Sequence, residues 1–194
     1  MPDTPPIRKR MRRWEIPTDL RFATFSCQHR LPLLKNQRIC AALLASIASA
    51  RSRLGLRVFA WVFMPEHVHL VCRPAEGATL ERALRSIKMS IAKRAIERWK
   101  AFDAPILRRV ADEVGRPRFW QKGGGFDRNV RDMDEFAREV RYVHRNPVER
   151  GLVSRPEDWC WSSVRWWMGT RGQEFECDAP PGRPGTWDLW TGYK

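Results

Sequence analysis

The 194-residue chain predicts an α+β domain of β-α-β-β-α-β order, the ferredoxin-like arrangement of an antiparallel sheet with two helices on one face. Three observations carry that expectation. Residues 20–27, 56–64 and 67–73 have strand-like composition and alternation, whereas 37–54 and 79–99 repeat their apolar residues at helical spacing. The second and third strands are also joined too tightly for anything but an antiparallel hairpin.

Residues 1–18 are Pro-rich and basic, with Arg12 and Arg13 among their cations. They read as a flexible arm able to touch phosphates or, equally, as an inert terminus. Leu20 to Cys27 alternates and forms the first strand, and Pro32 and Asn36 punctuate the loop after it. Gln37 to Leu54 puts Ile39, Leu43, Ile47, Ala50 and Leu54 on one helical stripe, with Gly55 as the C-cap. Leu56 to Met64 is apolar on both faces, as a central strand would be. After the Pro65-Glu66 break, His67 to Arg73 is the next strand. Val68, Leu70 and Cys72 face the helices there, and His67, His69 and Val71 lie on the other, open face.

Thr79 caps a helix to about Trp99, with Leu80, Leu84, Ile87 and Ile91 inward and Arg82, Arg85, Lys93 and Arg94 on the outer face. That cationic stripe reads either as a solvated face or as a phosphate contact. Arg118 to Gln121 is the expected fourth strand, followed by a hinge-like Gly123-Gly124-Gly125 loop without a phosphate-cradle pattern. An added C-terminal helix runs from Asp132 to Arg145, opened by an Asp132-x-x-Glu135 capping pattern and ended by Pro147. Trp159, Trp161, Trp166 and Trp167 read as core packing, with base stacking the alternative, and residues 166–194 as an extended Trp/Gly/Pro-rich tail. The folded domain is therefore expected to span 19–165.

With 36 Lys and Arg against 22 Asp and Glu, the net charge is +14. Such a field favours a polyanionic partner, nucleic acid first and an anionic membrane surface second, over small neutral substrates. Five scattered cysteines without a CxxC pair argue against a disulfide framework or zinc knuckle. Reduced thiols, no signal-peptide stretch and no apolar run long enough to span a bilayer point to a cytoplasmic, nucleoid-associated protein with no membrane partner.

Two of the four histidines sit one residue apart, at His67 and His69. On a strand they share a face about 6.6 Å apart, a spacing suited to two ligands of one metal ion. In the added helix, Met133, Phe136, Ala137, Val140 and Val143 form an apolar stripe, and Tyr142 lies nearly opposite, with Glu135, Arg138 and Asn146. His144 falls beside the stripe and reads as a packed or capping histidine. Asn146, four residues beyond Tyr142, is a candidate oxygen-donating third ligand, although a residue before proline tends to leave the helical region. Two imidazoles and a carboxamide leave open positions on a divalent cation that can polarise a phosphodiester. A free tyrosine, with a pKa of about 10, is a weak nucleophile, but beside a polarised phosphate it can form a covalent phosphotyrosine.

The segments MPEHVHL (64–70), FWQKGGGFDRN (119–129), RYVHRNPVERGLV (141–153) and PEDWCWSS (156–163), in this order, resemble the IS200-like, REP-associated tyrosine transposases of the HUH endonuclease superfamily. The resemblance covers most of residues 20–165. It implies a ferredoxin-like fold, Mg²⁺ or Mn²⁺ as cofactor, and single-stranded DNA bearing hairpins as partner. It further implies His67 and His69 as metal ligands and Tyr142 as nucleophile. Asn146 stands where relatives carry a glutamine four residues after the tyrosine. The expected activity is a metal-dependent single-strand endonuclease and strand transferase, working as a monomer or homodimer. A non-catalytic hairpin-binding protein is the competing class, and a phosphodiesterase using activated water a third. Arg12, Arg13, Arg82, Arg85, Lys93, Arg94 and Arg138 are the expected DNA contacts.

Overall fold

The computed structural model describes residues 20–123 and 125–181. The elements run β1 (Arg21–Ser26), α1 (Gln37–Leu54), β2 (Arg57–Phe63), β3 (His67–Arg73), α2 (Leu80–Ala101), α3 (Ile106–Arg109), β4 (Phe126–Asn129), α4 (Met133–Glu149) and α5 (Val164–Trp167). The four strands form one sheet in the order β2-β3-β1-β4, and every neighbouring pair is antiparallel. This is the expected α+β, ferredoxin-like architecture.

Local chemistry sets the helix ends. The Asn36 side chain accepts from the amides of Arg38 and Ile39 at the start of α1, and Gly55 ends it at φ 63°. Thr79 accepts from the Arg82 amide to open α2, and Asp132 accepts from the Glu135 amide to open α4. The reciprocal half of the predicted capping pattern is absent, because the Glu135 carboxylate turns instead to the Arg131 amide and to Arg128.

One face of the sheet carries the main core. Ala23 and Phe25 of β1, Val68, Leu70 and Cys72 of β3, and Leu43, Ile47, Leu84, Ile87 and Ile91 of the two helices are buried together. Each of the Phe, Val, Leu and Ile side chains, fully buried, contributes about 1.5–3 kcal/mol relative to exposure. Trp161 and Trp166 pack onto this core, and Trp159 and Trp167 onto the second.

Three expectations are corrected. First, the histidine face is not open. The Phe136, Val140 and Val143 stripe of α4 needs an apolar partner, and Phe22, Phe59, Val62 and Val71 on that face provide it. His67 and His69 are consequently only 4% and 5% exposed. Second, the fourth strand follows the glycines rather than preceding them. Within 118–121 only a single bridge forms, between Cys27 and Trp120, because buried Phe119 and Trp120 fill the core beneath α2. The polar run Phe126–Asn129 pairs with β1 instead. Gly125 makes this possible: at φ 83°, a Cβ there would lie 2.1 Å from the Thr24 carbonyl oxygen. Third, Pro147 does not end α4, which continues to Glu149. Proline removes one amide but its φ remains helical, and the Arg150 amide still bonds to the Asn146 carbonyl at 3.0 Å.

Trp161–Ser163 pair with the Trp61–Phe63 half of the β2 edge, and residues beyond α5 dock on its Val58 end. The Asp178 carboxylate binds the Val58 amide at 2.8 Å and Arg51 at 2.9 Å, the Asp178 amide binds the Val58 carbonyl at 2.7 Å, and Phe175 and Cys177 are buried. This covers an edge strand that would otherwise offer unpaired backbone groups. Arg12 and Arg13, with the rest of 1–18, and residues 182–194 lie outside the described residues.

Candidate active site

The site is assembled from β1, β3 and the α4 helix that closes over them. Register places Thr24 opposite His69 and Ser26 opposite His67, so both histidines share a face with the even-numbered side chains of β1. The two imidazoles converge, with Nε2 atoms 2.9 Å apart. Each outer nitrogen has a partner: His67 Nδ1 lies 3.0 Å from Glu66 Oε1, and His69 Nδ1 lies 2.6 Å from Thr24 Oγ1. The Tyr142 ring is edge-on to His69 at 5.2 Å and to Phe22 at 5.8 Å, and Phe22 stacks on His69 at 5.4 Å, so the three rings form a triangle. Tyr142 itself remains 41% exposed. A buried histidine pair and a solvent-reachable phenol therefore meet at one point.

Electrostatics keep the pair neutral. Burial is the main force lowering both histidines. Glu66 pushes His67 back up, whereas His67, Arg150 and Arg30 push His69 further down, to about 3. Burial would raise the Glu66 carboxyl, but its bonds to Arg150, at 2.9 Å, and to His67 outweigh that and hold it low. A neutral imidazole whose Nδ1–H is engaged presents its Nε2 lone pair, the state a metal ligand requires.

Whether these residues suit a divalent cation can be tested on two observations. Octahedral coordination at about 2.1 Å puts adjacent ligand atoms about 3.0 Å apart, close to the Nε2 separation. In addition, Asn146 is buried and its Oδ1 finds no hydrogen-bond partner among the described residues. An orphaned acceptor costs about 1–3 kcal/mol and asks for a ligand. Because α4 continues through Pro147, Asn146 stands one helical turn from Tyr142, on the same side. The donor set fits. Among the described residues there is no cluster of three or more His, Cys, Asp or Glu side chains that could hold a metal ion, and Asn146 is a candidate oxygen donor beside the histidine pair.

Of the other expected residues, His144 is buried and pairs with Ser163 Oγ at 2.8 Å, away from the histidine pair's network. Arg138 is exposed on α4. Arg82, Arg85, Lys93 and Arg94 are also exposed, but α2 covers the opposite sheet face, and Arg85 and Lys93 pair there with Glu81 and Glu97. Two groups of residues escaped the sequence. Glu66 and Arg150 clasp the β2–β3 turn to the C-terminal end of α4, which sets how the tyrosine helix sits above the histidines. Arg128 of β4 joins the buried Glu135 and Glu139 of α4. For Glu66 the signal was present, a carboxylate immediately before a candidate ligand. Neither arginine stands out among the others in sequence.

In both fold and sequence the chain is tyrosine-transposase-like. It is 25% identical over 153 residues to the REP-associated tyrosine transposase of Escherichia coli strain K12, spanning 78% of this chain and 80% of that protein. A solved structure of the REP-associated tyrosine transposase bound to a REP hairpin superposes with a TM-score of 0.64 at 21% identity, covering 91% of this chain and all of that one. That second likeness establishes the fold. No family model matches the chain.

Proposed function

We propose that the protein is a metal-dependent single-stranded DNA endonuclease and strand transferase that cuts near DNA hairpins through a covalent bond to Tyr142. The observation that supports this best is the Tyr142 ring 5.2 Å from His69, whose Nε2 converges on that of His67. Similarity to a transposase and a fold shared with one bound to a REP hairpin support the substrate class.

In this reading His67, His69 and Asn146 would hold Mg²⁺ or Mn²⁺, which would supply Lewis-acid polarisation of a phosphoryl oxygen. Glu66 and Thr24 orient the two imidazoles through their Nδ1 atoms. The Tyr142 Oη–phosphorus bond forms as the phosphorus–O3′ bond breaks, and the proton lost by the phenol reaches the departing O3′ through solvent. The freed 3′-hydroxyl can later attack the phosphotyrosine and restore the phosphodiester. Arg138 serves the phosphates at the tyrosine helix. Arg82, Arg85, Lys93, Arg94 and the arm residues Arg12 and Arg13 serve DNA further along. Such a protein would work in the cytoplasm, against the nucleoid, and among the described residues no helix is long and apolar enough to cross a membrane.

The test is incubation with labelled, hairpin-bearing single strands and Mn²⁺, followed by a denaturing gel. A DNA-linked protein band is expected, absent in Tyr142→Phe and in His67→Ala. Cleavage that persists in Tyr142→Phe would replace the phenol with water as nucleophile. Tight binding without any cleavage would favour a non-catalytic hairpin-binding protein.

A further inference from the structure

β4 brings a large exposed aromatic side chain to the edge of the histidine face. Phe126 is paired with Thr24, and Thr24 with His69, so the three side chains form one cross-strand row on the same side of the sheet. Two further contacts fix the side on which this row lies. Thr24 Oγ1 touches the His69 ring, and Arg128, two residues after Phe126, reaches Glu135 and Glu139 of α4. β4 is the terminal strand of the sheet, so among the described residues the row ends at Phe126. The Phe126 ring is 47% exposed, whereas Phe22, one row along and nearer α4, is 5% exposed. Nothing in the core requires an aromatic ring there.

The register that presents this ring is held by glycine. At Gly125 a Cβ would lie 2.1 Å from the Thr24 carbonyl oxygen, so the chain can approach β1 closely enough to set Phe126 opposite Thr24 only without a side chain at that position. Two strand spacings separate Phe126 from His69, about 10 Å. Stacked bases follow one another at about 3.4 Å, so roughly three nucleotides bridge that gap.

We infer that Phe126 is a stacking platform for an unpaired base about three nucleotides from the phosphate held at His67, His69 and Tyr142. The ligand class is single-stranded DNA, gripped without base-edge readout, because every base offers a π-face. Arg131, beyond the opposite end of β4, has its side chain 84% exposed and suits a phosphate further along that edge of the sheet. This inference rests on the single-strand reading above and adds a second point of contact to it.

The experiment measures binding, which does not require cleavage. Fluorescence anisotropy of a hairpin with single-stranded flanks is recorded for the wild type and for Phe126→Ala, Phe126→Leu and Phe126→Trp. Phe126→Ala is expected to weaken binding by about 5- to 150-fold, the range for losing one stacked base, with Phe126→Trp near wild type and Phe126→Leu in between. An abasic scan of the flanks should find one position where the wild type loses the same factor and Phe126→Ala loses nothing more. A 2-aminopurine at that position should be quenched on binding the wild type and remain bright with Phe126→Leu, a substitution that keeps an apolar residue at an exposed site. Binding within twofold of wild type for both Phe126→Ala and Phe126→Leu, or an abasic scan without such a position, overturns the inference. If the wild type forms no DNA adduct but the stacking signals appear, the nuclease reading fails and this one stands. If adduct forms without them, the reverse holds.

Discussion

The two faces of the sheet are built on different principles. On the α1/α2 face, Phe25, Leu43, Ile47, Leu70 and Ile87 form an apolar core, crossed by the buried Ser46 hydroxyl, which donates to the Ile87 carbonyl. On the α4 face a smaller cluster around Phe22, Val62, Phe136 and Val143 shares its space with His67, His69, Glu66, Glu135 and Glu139. The first face is held by apolar burial, which is strong and undirected. The second is held partly by ion pairs and hydrogen bonds, which are weaker in net terms but fix orientation. The candidate chemistry lies on the second face, where the position of α4 relative to β3 decides whether phenol and imidazoles meet.

The sharpest test of that contrast compares truncations. Ile87→Ala on the first face should cost about 2–5 kcal/mol in urea unfolding, while the folded fraction keeps its adduct-forming rate. Phe136→Ala on the second should cost about 3–5 kcal/mol and also slow adduct formation, because it loosens the tyrosine helix. Equal effects of the two on rate per folded molecule would erase the distinction.

A smaller effect isolates orientation from packing. Glu66→Gln weakens the clasp to Arg150 and the hold on His67 Nδ1, and should reduce Mn²⁺ affinity or adduct formation about 10- to 100-fold with little change in melting temperature. Calorimetric Mn²⁺ titration alongside a thermal melt reads both; lost stability with unchanged affinity would assign Glu66 to packing alone.

A further test varies pH. His69 and His144 are buried and pushed down to about 3, and His67 is lowered too, above all by burial. An unfolded chain takes up protons as pH falls through the ordinary histidine value near 6.5, and the folded chain does not. Stability is therefore intact above about pH 6.5 and declines below it, by at most about 1.4 kcal/mol per pH unit for each histidine. Urea midpoints from pH 7.5 to 4.5 should fall, and His144→Gln should flatten the slope. A midpoint constant over that range would mean the histidines are not held neutral.

Much of this was legible because it is local. Helix α1 reads from Asn36 and Gly55 at its ends, the β2–β3 hairpin from Pro65-Glu66, and the shared face of His67 and His69 from alternation on a strand. Tyr142 was legible as a residue off its own helix's apolar stripe. The misplaced fourth strand shows where local signals run out. Arg118 to Gln121 carries better strand formers than Phe126 to Asn129, yet the aromatics were needed in the core and Gly125 let the polar run reach β1.

The sequence alone determined which side chains share a face, because a pleated strand repeats every two residues and a helix every 3.6. It could not determine what covers each face, since that depends on where α4 lands after a loop of undetermined course. Only the tertiary structure decided that α4 closes over the histidines, runs through Pro147 and is clasped by Arg150 to Glu66. The physical reason is that an amphipathic helix fixes its own buried side but not its partner, and the choice of partner falls to packing and to a few long-range charges.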